Sequence, residues 1–175
     1  HLTETEKLDG LVEKIDPTNP DEYRRWLKRY DGFGNIIAEC PPMVAELLAK
    51  IDADPTIPPE EKQKQKEKIW ETQSVRHVYD PSGLKLHTTD ALNRTTFYFY
   101  NASRKLIATV DPNGVITEIT RNTFNEEIGI RKYINLIPIA NIPEGGFITP
   151  TIKALFIKND TLDQVTLLER TKRGL

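Results

Sequence analysis

The sequence contains only one cysteine, Cys40, which excludes an internal disulfide and a metal site built from several thiolates. Charges of opposite sign nearly balance at a formal net charge of −2, so no overall basic field attracts nucleic acid or an anionic membrane. No apolar run approaches the roughly 20 residues that a membrane-spanning helix needs. A phosphate-binding glycine loop, a nucleophile elbow and an HExxH motif are also missing. We therefore predict no enzyme activity, no cofactor and no metal.

Residues 1–10 lack the basic and then apolar order of a signal peptide. They also lack an initiator methionine, so we expect the chain to be a piece of a longer protein. The twelve prolines outnumber the nine glycines and cluster at 17–20, 41–42, 55–59 and 138–150. Because proline interrupts helices and central strands, these clusters mark element boundaries.

Helical patterns predominate in the first half of the chain. Apolar residues at helical spacing predict one amphipathic helix over residues 3–16 and another over 42–52. Residues 58–73 predict a solvated helix, because charged and amide side chains fill most of it. Ile69 and Trp70 are its only large apolar residues, so we expect this helix to dock through its C-terminal end.

Strand patterns predominate elsewhere. Residues 21–40 predict a strand, a turn and a second strand, with a helix over 21–29 as the alternative. Residues 75–130 are rich in threonine, aromatic and β-branched residues and predict strands with closely spaced turns. Residues 133–150 predict an edge strand and loop. The pattern over 151–175 leaves a capped helix and the second strand of a hairpin as open alternatives.

A 21-residue repeat lies in the strand-rich region. Tyr79-Asp80 recurs 21 positions later as Tyr100-Asn101, and Asp90 recurs as Asp111. A degraded third copy follows, and an isolated copy of the opening occurs at Tyr30-Asp31. Asp, Asn, Pro and Gly favour turn geometry, which predicts turns at 31–34, 80–83, 90–93, 101–104 and 111–114.

The segments between the turns alternate with period two, as strands do. One face is predicted to carry Leu106, Ala108 and Val110, and the other Ile107 and Thr109. In the same way Phe97 and Phe99 oppose Tyr98 and Tyr100. These four rings are also candidates for stacking on a sugar ligand. Packing within the sheet is the favoured interpretation, because a ligand would have to use both faces of one strand.

Residues 28–36 (KRYDGFGNI) and 79–125, which include the string TDALNRTT followed by DPNG, resemble the YD repeats of the Rhs superfamily. That family includes bacterial polymorphic Rhs toxins and the B and C components of insecticidal Tc toxin complexes. The resemblance covers about a third of the chain. It implies a large β-sheet that spirals into a hollow shell around a toxic C-terminal domain. It also implies a protein that is secreted by a bacterium or lies on its surface.

The chain departs from the family pattern at three positions. Arg104 and Asn125 stand where the family usually has glycine, and Arg121 stands where tyrosine is usual. The family shell often ends in a self-cleaving region with paired aspartates and a DPxGL string, which Asp80–Leu84 matches. We interpret this string as a turn inside a repeat, because further repeats follow it directly.

Other candidate sites have simpler interpretations. His77 and His87 supply too few ligands for a metal site. Cys40 is predicted to be a packed apolar residue. The basic cluster over 170–173 is predicted to be a solvated tail. The acidic pairs at 60–61 and 126–127 are adjacent in sequence and not placed as a catalytic dyad.

The prediction from these patterns is an α+β, mainly β fold. Antiparallel β-hairpin repeats form a curled sheet, with two or three short helices in the N-terminal half. Residues 1–74 hold helical segments and one hairpin at 30–40, 75–130 hold the repeats, and 131–175 form a strand, loop or capping segment.

The functional prediction is a structural segment of a YD-repeat shell, a scaffold for toxin encapsulation or delivery without catalysis of its own. One alternative is a carbohydrate or cell-surface binding module that presents Phe97–Tyr100. Another is a toxin effector fragment with its chemistry in the flanks. The expected partners are the rest of a larger YD-repeat protein, or subunits of a toxin complex. Self-association through open strand edges is also expected.

Overall fold

The computed structural model describes residues 5–7, 13–14, 23–24 and 26–168. They form an α+β fold that is mainly antiparallel β-structure, which confirms the predicted fold class. The strands are β1 (Thr5–Lys7), β2 (Glu13–Lys14), β3 (Tyr23–Arg24), β4 (Leu27–Tyr30), β5 (Ile36–Cys40), β6 (Val75–Tyr79), β7 (Lys85–Thr89), β8 (Thr95–Tyr100), β9 (Leu106–Val110), β10 (Ile116–Arg121), β11 (Glu127–Lys132), β12 (Gly146–Phe147) and β13 (Gln164–Leu167). The helices are α1 (Pro42–Ala53), α2 (Pro59–Gln73) and α3 (Pro150–Ala154), with a 3-10 turn at Ile139–Asn141.

The chain divides into two compact units. These are His1–Val78 with Thr89–Arg94, and Tyr79–Thr88 with Thr95–Leu175. In the first unit the strands pair antiparallel in the order β1-β4-β5-β6, and β2 pairs with β3. Leu27 lies opposite Cys40, and a turn joins β4 to β5. This confirms the strand, turn and strand predicted within 21–40.

The predicted helix over residues 3–16 is wrong for the residues that the structure describes there. Thr5–Lys7 and Glu13–Lys14 are strands, and Thr5 pairs with Tyr30. Pairing with β4 gives this backbone its hydrogen-bond partners from a distant part of the chain, and such tertiary pairing overrides local helical periodicity. The apolar stripe that suggested the helix lies outside the described residues.

Both helices predicted between β5 and β6 are present as α1 and α2. Each has a proline in its first turn, which costs no hydrogen bond because the N–H groups of a first turn have no partner within the helix. Ile69 and Trp70 are the buried residues of α2, so it docks through its C-terminal end as predicted. They pack in the core of the first unit, whose other buried members are Ala38, Cys40, Val44 and Leu48.

In the second unit the strands follow the order β7-β8-β9-β10-β11-β13, and β12 pairs with β8 in parallel. Phe99 lies opposite Ala108 and both are buried, whereas Tyr98 and Thr109 lie opposite each other on the other face. The predicted alternation of faces is therefore confirmed. The core under this sheet consists of Phe97, Phe99, Ala108, Val110, Ile116, Tyr133, Ile137, Ile142, Ile152 and Phe156.

Six turns share one geometry, a three-residue loop that combines a type I turn with a left-handed residue. In each, the N–H of the first residue donates to the carbonyl of the fifth, and the N–H of the fourth donates to the carbonyl of the first. The fourth residue has positive φ. These residues are Gly34, Gly83, Asn93, Arg104, Gly114 and Asn125, with φ between 59° and 86°. All five predicted turns are thus confirmed, and the degraded third copy supplies a sixth.

Residues 133–163, here called the C-terminal strap, connect β11 to β13 and pack into the core of the second unit. Backbone hydrogen bonds fasten it to the sheet, from Tyr133 N to Ile116 O at 2.9 Å, from Ile137 N to Gly114 O at 3.0 Å and from Ile148 N to Tyr100 O at 3.0 Å. Of the alternatives left open over 151–175, the strand is present at Gln164–Leu167, because β13 pairs antiparallel with β11, whereas Pro150–Ala154 forms helix α3. Residues 169–175 lie outside the described residues.

Candidate functional site

The four aromatic residues Phe97–Tyr100 do not form one surface. Phe99 is 1% exposed and its ring meets that of Phe156 edge-on, with 6.4 Å between the ring centroids. Phe97 is buried in the same core. Tyr98 and Tyr100 lie on the opposite face and are half-buried. A ligand that reaches the sheet from that face meets the two tyrosines but neither phenylalanine.

Tyr100 is held by a structural hydrogen bond. Its hydroxyl donates to the backbone carbonyl of Lys85 at 2.9 Å, which joins it to the preceding hairpin. Burial raises the pKa of Tyr100, with the negative charge nearby adding to the effect. The phenol therefore stays protonated and acts as a donor in the sheet.

Arg121 takes over the role of the tyrosine that it replaces in the repeat. Its Nε donates to the carbonyl of Leu106 at 2.9 Å, 15 positions back along the chain. Tyr100 reaches the carbonyl of Lys85 over the same separation. The side chain at this position thus links one hairpin to the previous one. An arginine can do so because its N–H group, like the O–H group of tyrosine, is a donor at the required reach.

Neighbouring turns also contact each other. The Arg104 guanidinium donates to the carbonyl of Ser82, and the Asn101 side-chain amide donates to that of Asn125 at 3.2 Å. These contacts involve the two positions that correspond to Gly83 in an earlier copy of the repeat. Arg104 and Asn125 both adopt positive φ, which glycine accepts more readily, and both gain a contact that glycine cannot make.

The first residue of each turn uses its side chain to hold the loop. In Asp111, Oδ1 accepts from the N–H groups of Asn113 at 2.8 Å and Val115 at 3.0 Å. In the turn after it, Asn122 Oδ1 does the same for Phe124 and Glu126 at 2.9 and 3.0 Å. An oxygen at this position satisfies amides that the sheet leaves unpaired. Aspartate and asparagine therefore serve equally well.

Replacing Asp111 with alanine is expected to lower the free energy of unfolding by about 1–2 kcal/mol, since two backbone amides lose their acceptor. Asp111→Asn is the matched control and is expected to change it by less than about 0.5 kcal/mol, because Asn122 makes the same two bonds in its own turn. Urea unfolding of both variants measures the difference. Equal losses in the two would contradict the role of the side-chain oxygen.

A polar cluster in the second unit joins the strap to β10. The hydroxyl of Tyr133, a residue only 2% exposed, donates to Glu118 Oε2 at 2.5 Å, and Lys153 pairs with Glu118 Oε1. Burial raises the pKa of Tyr133, and the Glu118 carboxylate raises it further. Burial alone would raise the pKa of Glu118, but hydrogen bonds from Lys153 and Tyr133 hold it below its ordinary value. The tyrosine is thus fixed as a donor, and the cluster anchors the strap.

A cleft of about 280 Å³ lies in the first unit beside α2. The Arg29 guanidinium sits 4.4 Å from the Trp70 ring centroid and forms two hydrogen bonds to Glu67, at 2.8 and 2.9 Å. Hydrogen bonds from Arg29 lower the pKa of Glu67. This stacked and bidentate arrangement clamps α2 onto β4. The lining residues are Arg29, Ile37, Ala38, Glu67, Trp70, Glu71 and Arg76.

The other candidate residues make local structural contacts. His77 Nε2 is 3.1 Å from Glu39 Oε1 in the first unit, and the His87 ring packs near Phe97 in the second. Cys40 is buried in the core of the first unit. Within the described ranges, no three His, Cys, Asp or Glu side chains converge as metal ligands would. Asp80–Leu84 forms one of the six turns.

The charged candidates have structural roles within their own elements. Glu60 and Glu61 lie in the first turn of α2, where acidic residues are favourable. Glu126 belongs to the turn before β11, and Glu127 pairs with Arg121 at 2.8 Å. The basic cluster over 170–173 lies outside the described residues.

Among the residues described, no helix has the length and apolar character to cross a membrane. No protein-family model matches this chain, and no curated protein is significantly similar to it in sequence.

Proposed function

We propose that this chain is a structural segment of a larger YD-repeat shell that encloses or delivers a toxic domain, and that it has no catalysis of its own. The observation that carries the proposal is the set of six turns with one geometry. Five of them begin at Asp80, Asp90, Asn101, Asp111 and Asn122, so the spacing alternates between 10 and 11 residues. Two hairpin turns thus make one 21-residue repeat.

The recurring residues support a structural role, because each has a mechanical task. The first residue of a turn holds the loop and the fourth supplies positive φ. Before the turns that begin at Asn101 and Asn122, the preceding residue also bonds to the previous hairpin. Arg121 supports the proposal further. It departs from the repeat in identity, yet it makes the contact that Tyr100 makes one repeat earlier. The hydrogen bond to the preceding hairpin is kept although the residue that makes it changes, which indicates that the structure requires this bond.

Cryo-electron microscopy of the protein encoded by the complete reading frame tests this proposal. We expect many further hairpins of this type, a closed shell around a cavity, and a segment inside it that resists added protease until the shell is opened. A complete reading frame without further repeats, or an open sheet that encloses nothing, would refute the proposal.

A further inference from the structure

Glu118 is one of two carboxylates that hold the strap against the sheet. It lies on β10, and its side chain is 17% exposed. Its Oε2 accepts from the hydroxyl of Tyr133 at 2.5 Å, and its Oε1 pairs with Lys153 on α3. Both oxygens therefore receive a hydrogen from the strap, one from its first residue and one from its helix.

Asp163 is the second carboxylate, and it lies at the other end of the strap. Its side chain is fully covered. Oδ1 accepts from the N–H group of Ile134 at 2.9 Å, and Oδ2 accepts from the N–H group of Asn159 at 2.9 Å and from Arg131 of β11 at 3.0 Å. This one carboxylate thus joins the two ends of the strap to each other and to the sheet.

Both attachments depend on the negative charge of the carboxylate. Each of the four oxygens already accepts from at least one donor, so a proton must be added to an oxygen that is in use. The protonated carboxyl group is neutral and is itself a donor, so it loses the ion pair and places its O–H group among other donors. Protonation of Glu118 or Asp163 therefore weakens the bonds that fasten the strap.

The surrounding charges add to this effect. Arg131 lies opposite Glu118 on β11, and it also pairs with Asp160 at 3.0 Å, whereas Ala108 opposite Glu118 on β9 brings no charge. Among the described residues, the charged groups that contact or face the two carboxylates are three cations and three carboxylates, namely Arg131, Lys153, Lys158, Glu118, Asp160 and Asp163. Acid neutralises the carboxylates and leaves only the cations, which repel one another.

The pKa of each carboxyl group sets the pH at which its contribution is lost. Burial alone would raise the pKa of Asp163, but hydrogen bonds from two backbone N–H groups and from Arg131 hold it below its ordinary value. The bonds from the strap do the same for the pKa of Glu118. A carboxyl group whose pKa is lower in the folded chain than in the unfolded chain stabilises the fold above its ordinary pKa of about 4. This stabilisation is lost as the pH falls through the lower pKa of the folded chain.

The hairpins of the second unit depend less on carboxylates. Two of their turns begin with Asn101 and Asn122, whose amide oxygens accept from the loop and do not titrate in this range. Although burial opposes it, hydrogen bonds lower the pKa of Asp80 as well. The turns that begin at Asp80 and Asp111 nevertheless keep their two backbone hydrogen bonds when the side chain is protonated. Acid therefore weakens the attachment of the strap more than it weakens the hairpins.

We propose that the strap is an acid-sensitive latch: protonation of Glu118 and Asp163 opens it and uncovers the apolar face of Phe99 and Ala108 while the hairpins stay paired. The latch is independent of the proposed shell, because it consists of contacts within the second unit. It gives the sheet a way to present apolar surface in response to acid without unfolding.

Hydrogen–deuterium exchange at single-amide resolution tests the latch, with protection factors corrected for the pH dependence of the intrinsic exchange rate. The N–H groups of Tyr133, Ile137 and Ile148 report on the strap, because they donate to carbonyls of the sheet. Those of Asn101 and Asn122 report on the hairpins that they close. Between pH 7 and pH 3 we expect protection to fall by at least about tenfold in the strap and by less than about threefold in the hairpins.

Variants that remove the charges at neutral pH identify the groups responsible. We expect the double variant Glu118→Gln, Asp163→Asn to show at pH 7 the low strap protection that the unchanged chain shows at pH 3, and to lose little more in acid. Glu118→Gln alone keeps an acceptor for Tyr133, so it is expected to show part of the loss, and it serves if the double variant does not fold. Glu144→Gln is the matched control. Glu144 is an exposed residue of the same strap, so strap protection at pH 7 is expected to stay unchanged.

Three results would overturn the latch. The first is strap protection that is the same at both pH values. The second is an equal loss in the strap and the hairpins, since acid would then unfold the unit as a whole. The third is full strap protection at pH 7 in the variants combined with an acid-induced loss in the unchanged chain, which would assign the response to groups other than Glu118 and Asp163.

Discussion

Replacing Gly145 with alanine is expected to lower the free energy of unfolding of the second unit by more than about 3 kcal/mol. A Cβ atom at this position would lie 1.9 Å from the carbonyl oxygen of Leu86 and 2.8 Å from that of Tyr98. Both obstacles are backbone atoms, so no side-chain rotation relieves the clash. The strap would have to withdraw from the sheet at the point where β12 pairs with β8.

Two other glycines serve as controls for this variant. Gly129→Ala is expected to change the free energy of unfolding by less than about 0.5 kcal/mol, because its Cβ would be 3.4 Å or more from its neighbours. Gly34→Ala is expected to cost about 1 kcal/mol, since its φ of +86° strains an alanine although the space around it is open. Urea unfolding with tryptophan and circular-dichroism detection gives all three values. If Gly145→Ala were as mild as Gly129→Ala, the close approach of the strap would be refuted.

Phe99→Ala is expected to cost about 3–5 kcal/mol, because the ring is almost fully buried and its removal leaves a cavity between the sheet and the strap. Phe124→Ala provides the matched control. Phe124 is 83% exposed at the tip of its turn, so its loss is expected to change stability by less than about 0.5 kcal/mol. The difference in stability is measured from the denaturant midpoints of the two variants, provided that their unfolding free energies depend on denaturant with the same slope. A small effect of Phe99→Ala would contradict its place in the core.

The same pair of variants bears on the idea of a sugar-stacking strand. Phe97 and Phe99 serve the core, so their removal alters folding before it alters any surface. Tyr98 lies outside the core, and it lacks the hydrogen bond that joins Tyr100 to the preceding hairpin. Carbohydrate binding by this strand therefore stays a prediction. It is tested by comparing glycan-array binding of the unchanged chain with that of the Tyr98→Ala variant.

The turns could be predicted from the sequence because each is encoded within five consecutive residues. The turn needs an Asp or Asn whose side chain accepts from the amides two and four positions later, and then a residue that tolerates positive φ. Both requirements are met by neighbouring residues in the sequence. Arg104 shows the limit of this reasoning. Its identity gives no indication of positive φ, and only the spacing of the repeat placed a turn there.

The strand at Thr5–Lys7 could not be predicted in this way. Local spacing favoured a helix, whereas the backbone partner of Thr5 is Tyr30, on another segment of the chain. Pairing over that distance leaves no local pattern when the strand is only three residues long. Short strands at the periphery of a sheet are defined by their neighbours.

The packing of the strap could not be predicted from the sequence either, since the residues that it bonds to are distant from it along the chain. Glu118, Tyr133 and Lys153 meet across separations of 15 and 35 positions, and none of them belongs to a motif. Gly145 gave a weak indication, because adjacent glycines often mark a close approach of two backbones. The sequence contains no indication of which backbone would be approached.

The strap also sets the order in which the second unit can form. Successive hairpins close loops of only a few residues, whereas Leu86 and Gly145 lie 59 positions apart, so their approach carries a larger loop-closure entropy. During synthesis residues 79–132 leave the ribosome before the strap does. We therefore expect the hairpins to stack first, with the apolar face of Phe99 and Ala108 uncovered until the strap packs against it. An apolar face left uncovered in this way favours aggregation.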